Sequence, residues 1–246
     1  MNADHHYVLR LGDDALIAAQ RLIQWCTRAP ALEEDVALAN IALDQLGQAR
    51  ALLTMAGELE GRGRDEDALA YERAESEFGN VLLVELANGD FAFSVAKMLF
   101  FGAYQNLLYQ ELSASAEPTL AGIAAKAVKE TAYHVEHAAL WTVRLGDGTE
   151  ESHRRMRSAV DEVWPYTHEL FTGDEVTEAA SIAVRPESLR PAWSELVDEV
   201  LTDATLRRPE DGWAPTGGRT GAHTEDFGYL IGELQVLHRA HPGARW

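Results

Sequence analysis

Apolar residues return at every third or fourth position through long stretches of this chain, and no stretch of useful length alternates apolar with polar; that periodicity builds helices, not strands. Between Asp13 and Cys26 the stripe is Ala15, Leu16, Ala19, Leu22, Ile23 and Cys26, and Val36 to Leu59 repeats the pattern at greater length before Gly61-Arg62-Gly63-Arg64 stops it. A shorter helix is predicted over Asp65 to Phe78. After the turn signal Asn88-Gly89-Asp90 a third long helix follows from Phe91 to Ala114. Pro118 suits the first turn of a fourth, which runs to Leu145 with Ile123, Ala127, Thr131, His134, Ala138, Trp141 and Leu145 on one stripe and closes at Gly146-Asp147-Gly148. Thr149 caps a fifth helix reaching Phe171, broken near Trp164-Pro165. Pro186 to Ala204 and Thr224 to Arg239 read as the last helices, separated by a Gly- and Pro-rich segment over Arg207 to Ala222. The class is all-α, and four long helices are the core of a bundle.

Composition narrows the partners. Forty acidic against 21 basic residues give a formal charge of -19, which repels a phosphate backbone and an anionic membrane surface alike. Cys26 is the single cysteine, so neither an internal disulfide nor a thiolate metal cluster can form. Residues Met1 to Leu11 hold Asp4, His5, His6 and Arg10 in place of a basic patch followed by an apolar run, and no run is long enough for a membrane span. A cytoplasmic protein is expected, with neither nucleic acid nor membrane as partner. The aromatic residues Trp25, Tyr104, Trp141, Trp164 and Trp193 read as core or interface anchors.

The helix around Lys126-Ala127-Val128-Lys129-Glu130-Thr131-Ala132-Tyr133-His134 carries a carboxylate and an imidazole, as carboxylate-bridged di-iron bundles do. Those bundles need the Glu three residues before the His. Here Thr131 holds that place, and Glu130 stands four before His134. In the earlier helix the polar pair three apart is Gln45 and Gln48, neutral amides that cannot offset iron's charge, with Asn40 and Asp44 nearby at intervals of four. A dinuclear site draws about four carboxylates and two imidazoles from four helices. The centres of the first and third long helices, Ile17 to Leu22 and Met98 to Asn106, supply no carboxylate. No metal site is therefore expected, and Asp44, Gln45, Gln48, Glu130, Thr131 and His134 form a degenerate ligand region. Arg219 and His223, in Thr216-Gly217-Gly218-Arg219-Thr220-Gly221-Ala222-His223-Thr224-Glu225, are candidate contacts for a phosphate or a partner's carboxylate; the alternative is a glycine-rich arm docked on the bundle.

Several ordered blocks carry a resemblance to a known family. They are Tyr7-Val8-Leu9-Arg10-Leu11-Gly12-Asp13, Gln20-Arg21-Leu22, Ala37 through Arg50, Asn88-Gly89-Asp90-Phe91-Ala92, Ala125 through Glu130 with Tyr133-His134, and Thr216-Gly217-Gly218-Arg219 with Gly221 through Glu225. Together these resemble, essentially end to end, the structural C subunits of bacterial phenylacetyl-CoA epoxidases, the PaaC family. The resemblance implies a single ferritin-like domain over residues 1–246, a four-helix bundle at about 7–146 with C-terminal helices and an arm at about 149–246. It also implies a place in a monooxygenase complex that converts phenylacetyl-CoA, with O2 and NADPH, to its ring 1,2-epoxide. In that family the di-iron and the active site belong to the A subunit, the small B subunit is a bridge, and an E subunit with FAD and an iron-sulfur centre supplies electrons. PaaC proteins themselves contribute structure and have no cofactor, so the resemblance implies no catalytic residue in this chain. On this view Asp44, Gln48, Glu130 and His134, with Lys126 or Lys129, replace ion-ligand contacts by internal hydrogen bonds and ion pairs. The alternative is a di-iron-binding oxygenase or ferritin-like protein in its own right.

Overall fold

The computed structural model describes residues 2–244, and every regular element in it is helical. The chain forms two compact units, one made of residues up to Ala87, Ala179–Ser181 and residues from Thr216 onward, the other of Asn88–Glu178 and Ile182–Pro215. The class is all-α and ferritin-like, and each unit holds one long helical hairpin.

In the first unit α1 (Ala3–Ile23) and α2 (Leu32–Glu60) run antiparallel. His5 Nδ1 donates to the Ala56 carbonyl at 2.8 Å near one end, and a Cβ on Gly12 would fall 2.8 Å from Leu53 further along, so at Gly12 the two helices touch closely. Asn2 caps α1 by accepting from the Asp4 amide. Gly61 ends α2 in the left-handed region at φ +70, as expected of a glycine stop. The sequence periodicity starts the first helix about Asp13; the structure starts it at Ala3, so Asp13 and Asp14 lie in its middle and are buried. The predicted helix over Asp65 to Phe78 is instead the short α3 (Glu66–Tyr71) and a separate 3-10 turn, Glu75–Glu77. A single helical turn, α4 (Leu82–Glu85), follows.

In the second unit α5 (Phe91–Leu112), capped by Asp90, packs antiparallel to α6 (Pro118–Gly146), with Phe91 edge-on to Trp141 at one end and Asn106 reaching Val128 nearer the other. Thr149 caps α7 (Glu150–Val163), and the expected break at Trp164-Pro165 is a switch to 3-10 geometry over Trp164–Phe171. The short α8 (Glu175–Ala179) and then α9 (Arg190–Asp203) complete this part of the chain. Trp164 and Trp193 pack on Phe100, and Trp193 Nε1 donates to the Phe100 carbonyl at 2.9 Å. These two tryptophans and Tyr104 are core residues, whereas Trp25 and Trp141 are half-buried. The last helix, α10 (Phe227–Ala240), belongs to the first unit.

The stripe of α6 is rotated from the one its larger apolar residues suggest. Ala127, Thr131, His134 and Ala138 are buried as expected, but the positions that complete the buried face are Leu120, Ala124, Thr142 and Gly146, while Ile123, Trp141 and Leu145 lie at its edge. At Gly146 close approach explains this. A Cβ on Gly146 would fall 2.3 Å from the Ala204 carbonyl oxygen, so backbone occupies the space a larger side chain would need.

Candidate functional site

The degenerate ligand residues divide between the units. On α2, Gln45 and Gln48 are buried, Asp44 is half-buried and Asn40 is exposed. Two neutral amides therefore take the interior positions of this helix, and the carboxylate sits toward its side. On α6, Thr131 and His134 are buried and Glu130 is half-buried.

Thr131 has a definite structural job at the place where a di-iron helix would carry its Glu. Its hydroxyl donates to the Ala127 carbonyl one turn back at 2.8 Å and accepts from Asn106 Nδ2 of α5 at 3.0 Å, while the same Asn106 amide reaches the Val128 carbonyl at 3.1 Å. A buried hydroxyl and a cross-helix amide thus satisfy each other, and the α5–α6 contact is fixed in register. Gly102 lies against Val135 and the Cβ of His134, which lets α5 pass close to that turn. Glu130 pairs with Lys126 one turn back at 3.2 Å, and Lys126 is three-quarters exposed, so this is a surface pair of small energetic weight. Among the described residues no three His, Cys, Asp or Glu side chains are grouped to hold a metal ion. The donor set thus does not fit a di-iron centre, which takes about four carboxylates.

The glycine-rich arm makes a denser polar site, within the first unit. Arg219 Nη1 and Nη2 donate to the two carboxylate oxygens of Asp14 at 3.0 and 2.8 Å, and Nη1 also donates to the Gly79 carbonyl. This forked pair is the geometry in which guanidinium and carboxylate bind most strongly. The Val81 amide donates to Asp14 at 2.8 Å. Burial pushes the Asp14 carboxyl up from its ordinary value, and Arg219 and the Val81 amide oppose that push without cancelling it.

His223 lies four residues on. Its Nδ1 is 2.7 Å from Glu85 Oε2 and its Nε2 is 3.1 Å from the Phe78 carbonyl oxygen; the ring stacks on Phe227. The Glu85 and His223 side chains are both fully shielded from water. The Glu85 carboxylate also accepts from Asn80 Nδ2 at 2.8 Å and from the Thr224 amide at 2.6 Å, and its backbone carbonyl takes two bonds from Arg21. A buried carboxylate needs this many donors to offset its lost hydration. The arm fits by shape as well: a Cβ on Gly218 would fall 2.2 Å from the Asn80 carbonyl oxygen, and one on Gly221, at φ +79, 2.3 Å from that of Ser76. Arg219 and His223 are thus committed to contacts inside the chain, those of a docked arm.

Beside this lies a third pair that the periodicity does not reveal. Arg73 donates to both carboxylate oxygens of Asp13, which also accepts from the Gly79 amide at 2.9 Å, and its guanidinium covers the Phe78 ring at 4.0 Å. The one local signal for these ionic anchors is the Asp13-Asp14 doublet itself, two adjacent carboxylates set in an apolar run from Tyr7 to Ala19.

Long helical hairpins, neutral amides and a threonine at the would-be ligand positions, and a salt-bridged C-terminal arm define a ferritin-like helical protein. The chain belongs to the family of phenylacetic acid catabolic proteins, PaaA_PaaC, whose model matches residues 1–246. It is similar to the C subunit of the 1,2-phenylacetyl-CoA epoxidase of Escherichia coli (strain K12), with 47% identity over 249 residues that cover 100% of both chains. No helix among the described residues is long and apolar enough to cross a membrane.

Proposed function

We propose that this chain is the non-catalytic structural subunit of a 1,2-phenylacetyl-CoA epoxidase, a cytoplasmic complex of aerobic phenylacetate breakdown. It supports a related catalytic subunit that holds the di-iron centre, together with a bridging subunit, and with a reductase that uses FAD, an iron-sulfur centre and NADPH. The observation that carries this reading is the correspondence, along the full length of both chains, with a protein named as the C subunit of that epoxidase. The interior chemistry supports the non-catalytic part. Gln45, Gln48 and Thr131 bring no negative charge to the buried faces of α2 and α6, and a dinuclear iron centre needs carboxylates there.

The test is reconstitution. The epoxidase subunits are expressed with and without this chain, and epoxide formation from phenylacetyl-CoA is measured alongside assembly. Activity is expected to need this chain, and iron to reside only in the catalytic subunit. Full activity without this chain would remove the structural role.

A further inference from the structure

We propose that the outward face of α2 is the seam on which another subunit of the complex docks, and that the docking element is a helix with an apolar stripe flanked by lysine or arginine. The proposal rests on the subunit reading above and adds the surface and the partner's chemistry.

One side of α2 is buried, at Leu38, Ile41, Ala49, Leu52 and Leu53. The other side is apolar too. Leu32 is 76% exposed, Val36 55%, Leu43 61% and Leu46 45%, and their spacing of four, seven and three residues puts them on a single stripe. At 1.5 Å per residue the stripe is roughly 20 Å long. Scattered exposed leucines are ordinary, but a continuous row along one helix marks a surface meant to be covered. A helix apolar on both sides belongs in an interior, and among the described residues only one side of α2 is buried.

Gly47, adjoining Leu43 and Leu46, points the same way. Glycine weakens a helix interior relative to alanine, yet a Cβ there would meet nothing within 4 Å, so no contact inside the chain calls for it. A second backbone approaching at that turn would.

Charge selects the occupant. Glu33 and Asp44 lie along one margin of the stripe and Asp35 along the other, and no basic residue joins them before Arg50. The first-turn acids also suit the helix dipole. Pairing two copies of this face would set acid against acid in either orientation, between chains that each carry a formal charge of -19. A partner helix with basic margins meets both requirements.

The test uses the full-length chain with the other epoxidase subunits. Leu43→Glu and Leu46→Glu are compared with Tyr229→Glu and Val236→Glu, which alter exposed apolar residues of α10; helicity and melting are followed to show that each variant folds. The α2 variants are expected to weaken assembly at least ~30-fold, as loss of a central apolar anchor does, and the α10 variants less than ~3-fold. Glu33→Lys is expected to slow association and to flatten its dependence on salt. Assembly unchanged by the α2 variants would overturn the proposal and leave the subunit reading standing, whereas failure of the wild-type chain to assemble at all would overturn both. A wild-type homodimer that Leu43→Glu converts to monomer would make the occupant a second copy and overturn the stated partner chemistry.

Discussion

Asp13 and Arg73, 60 residues apart in sequence, close an ion pair from which water is excluded on both sides. It fastens the middle of α1 to the segment after α3. Burying two charges is costly, and removing one partner is costlier still because the other is left uncompensated. Asp13→Ala is expected to destabilise the chain by about 3–5 kcal/mol, and a double replacement by Leu at Asp13 and Met at Arg73 by less than either single change. Urea denaturation of the three variants measures this. Additive losses would show that the pair does not act as a unit.

Asp14 gives a dependence on pH of unusual sign for an aspartate. Burial raises its carboxyl above the ordinary 3.8 despite the Arg219 guanidinium. The folded chain then holds this proton more tightly than the unfolded chain does. Stability from this group is present below the unfolded value and is lost as pH rises through the folded one. The advantage of the wild type over Asp14→Asn, which cannot titrate, is therefore expected to be greatest at about pH 4 and to shrink toward about pH 7. Denaturation at the two pH values decides; an advantage that grows with pH contradicts the assignment.

Two glycines of similar backbone conformation should respond differently to alanine. Gly61 has φ +70 and open space around it, while Gly221 has φ +79 and a Cβ there would strike the Ser76 carbonyl oxygen. Gly61→Ala is expected to cost about 1 kcal/mol, the conformational term alone, and Gly221→Ala clearly more, with the arm from Thr216 to Thr224 becoming open to proteolysis. Gly47→Ala, in an ordinary helical turn with nothing nearby, should instead raise the melting temperature of the isolated chain. Equal effects at Gly61 and Gly221 would argue that the arm is not tightly docked.

Glu130 and His134 take no part in chemistry if the chain is a scaffold. Alanine at either position is expected to change melting temperature or assembly while turnover per assembled complex stays within about twofold of wild type. His134→Ala should have the larger effect, since His134 is buried and the Glu130 pair with Lys126 is near the surface. Normal assembly with abolished turnover would refute the structural role.

The long helices could be read from the sequence because each carries an apolar stripe for several turns with a glycine or proline at its boundary, and the stop at Gly61 and the break at Trp164-Pro165 fall where those residues place them. The start of α1 could not, because Asp13 and Asp14 look like the polar edge of a helix. Their partners Arg73 and Arg219 stand 60 and 205 residues away, beyond any local pattern. The α6 face is misjudged by one position at Ile123, Trp141 and Leu145 for another reason: Ala124, Thr142 and Gly146 are buried in their place, and such small residues leave no hydrophobic signal. At the candidate site the failed Glu-to-His spacing is visible in the sequence, whereas the bond from Asn106 to Thr131 that occupies the place needs the α5–α6 register. Arg219 and His223 draw notice as a basic residue and an imidazole in a glycine-rich loop, but Asp14 and Glu85, which engage them, are known only from the fold.

Whether this chain is a metal-free scaffold is decided by iron retention. The purified chain is loaded anaerobically with Fe(II), desalted and assayed for iron per chain beside a catalytic-subunit preparation treated identically. Near-zero retention is expected in this chain and a filled dinuclear site in the catalytic subunit. About two irons held per chain would overturn the scaffold reading, because a dinuclear centre would then exist where the helices offer neutral amides and a threonine.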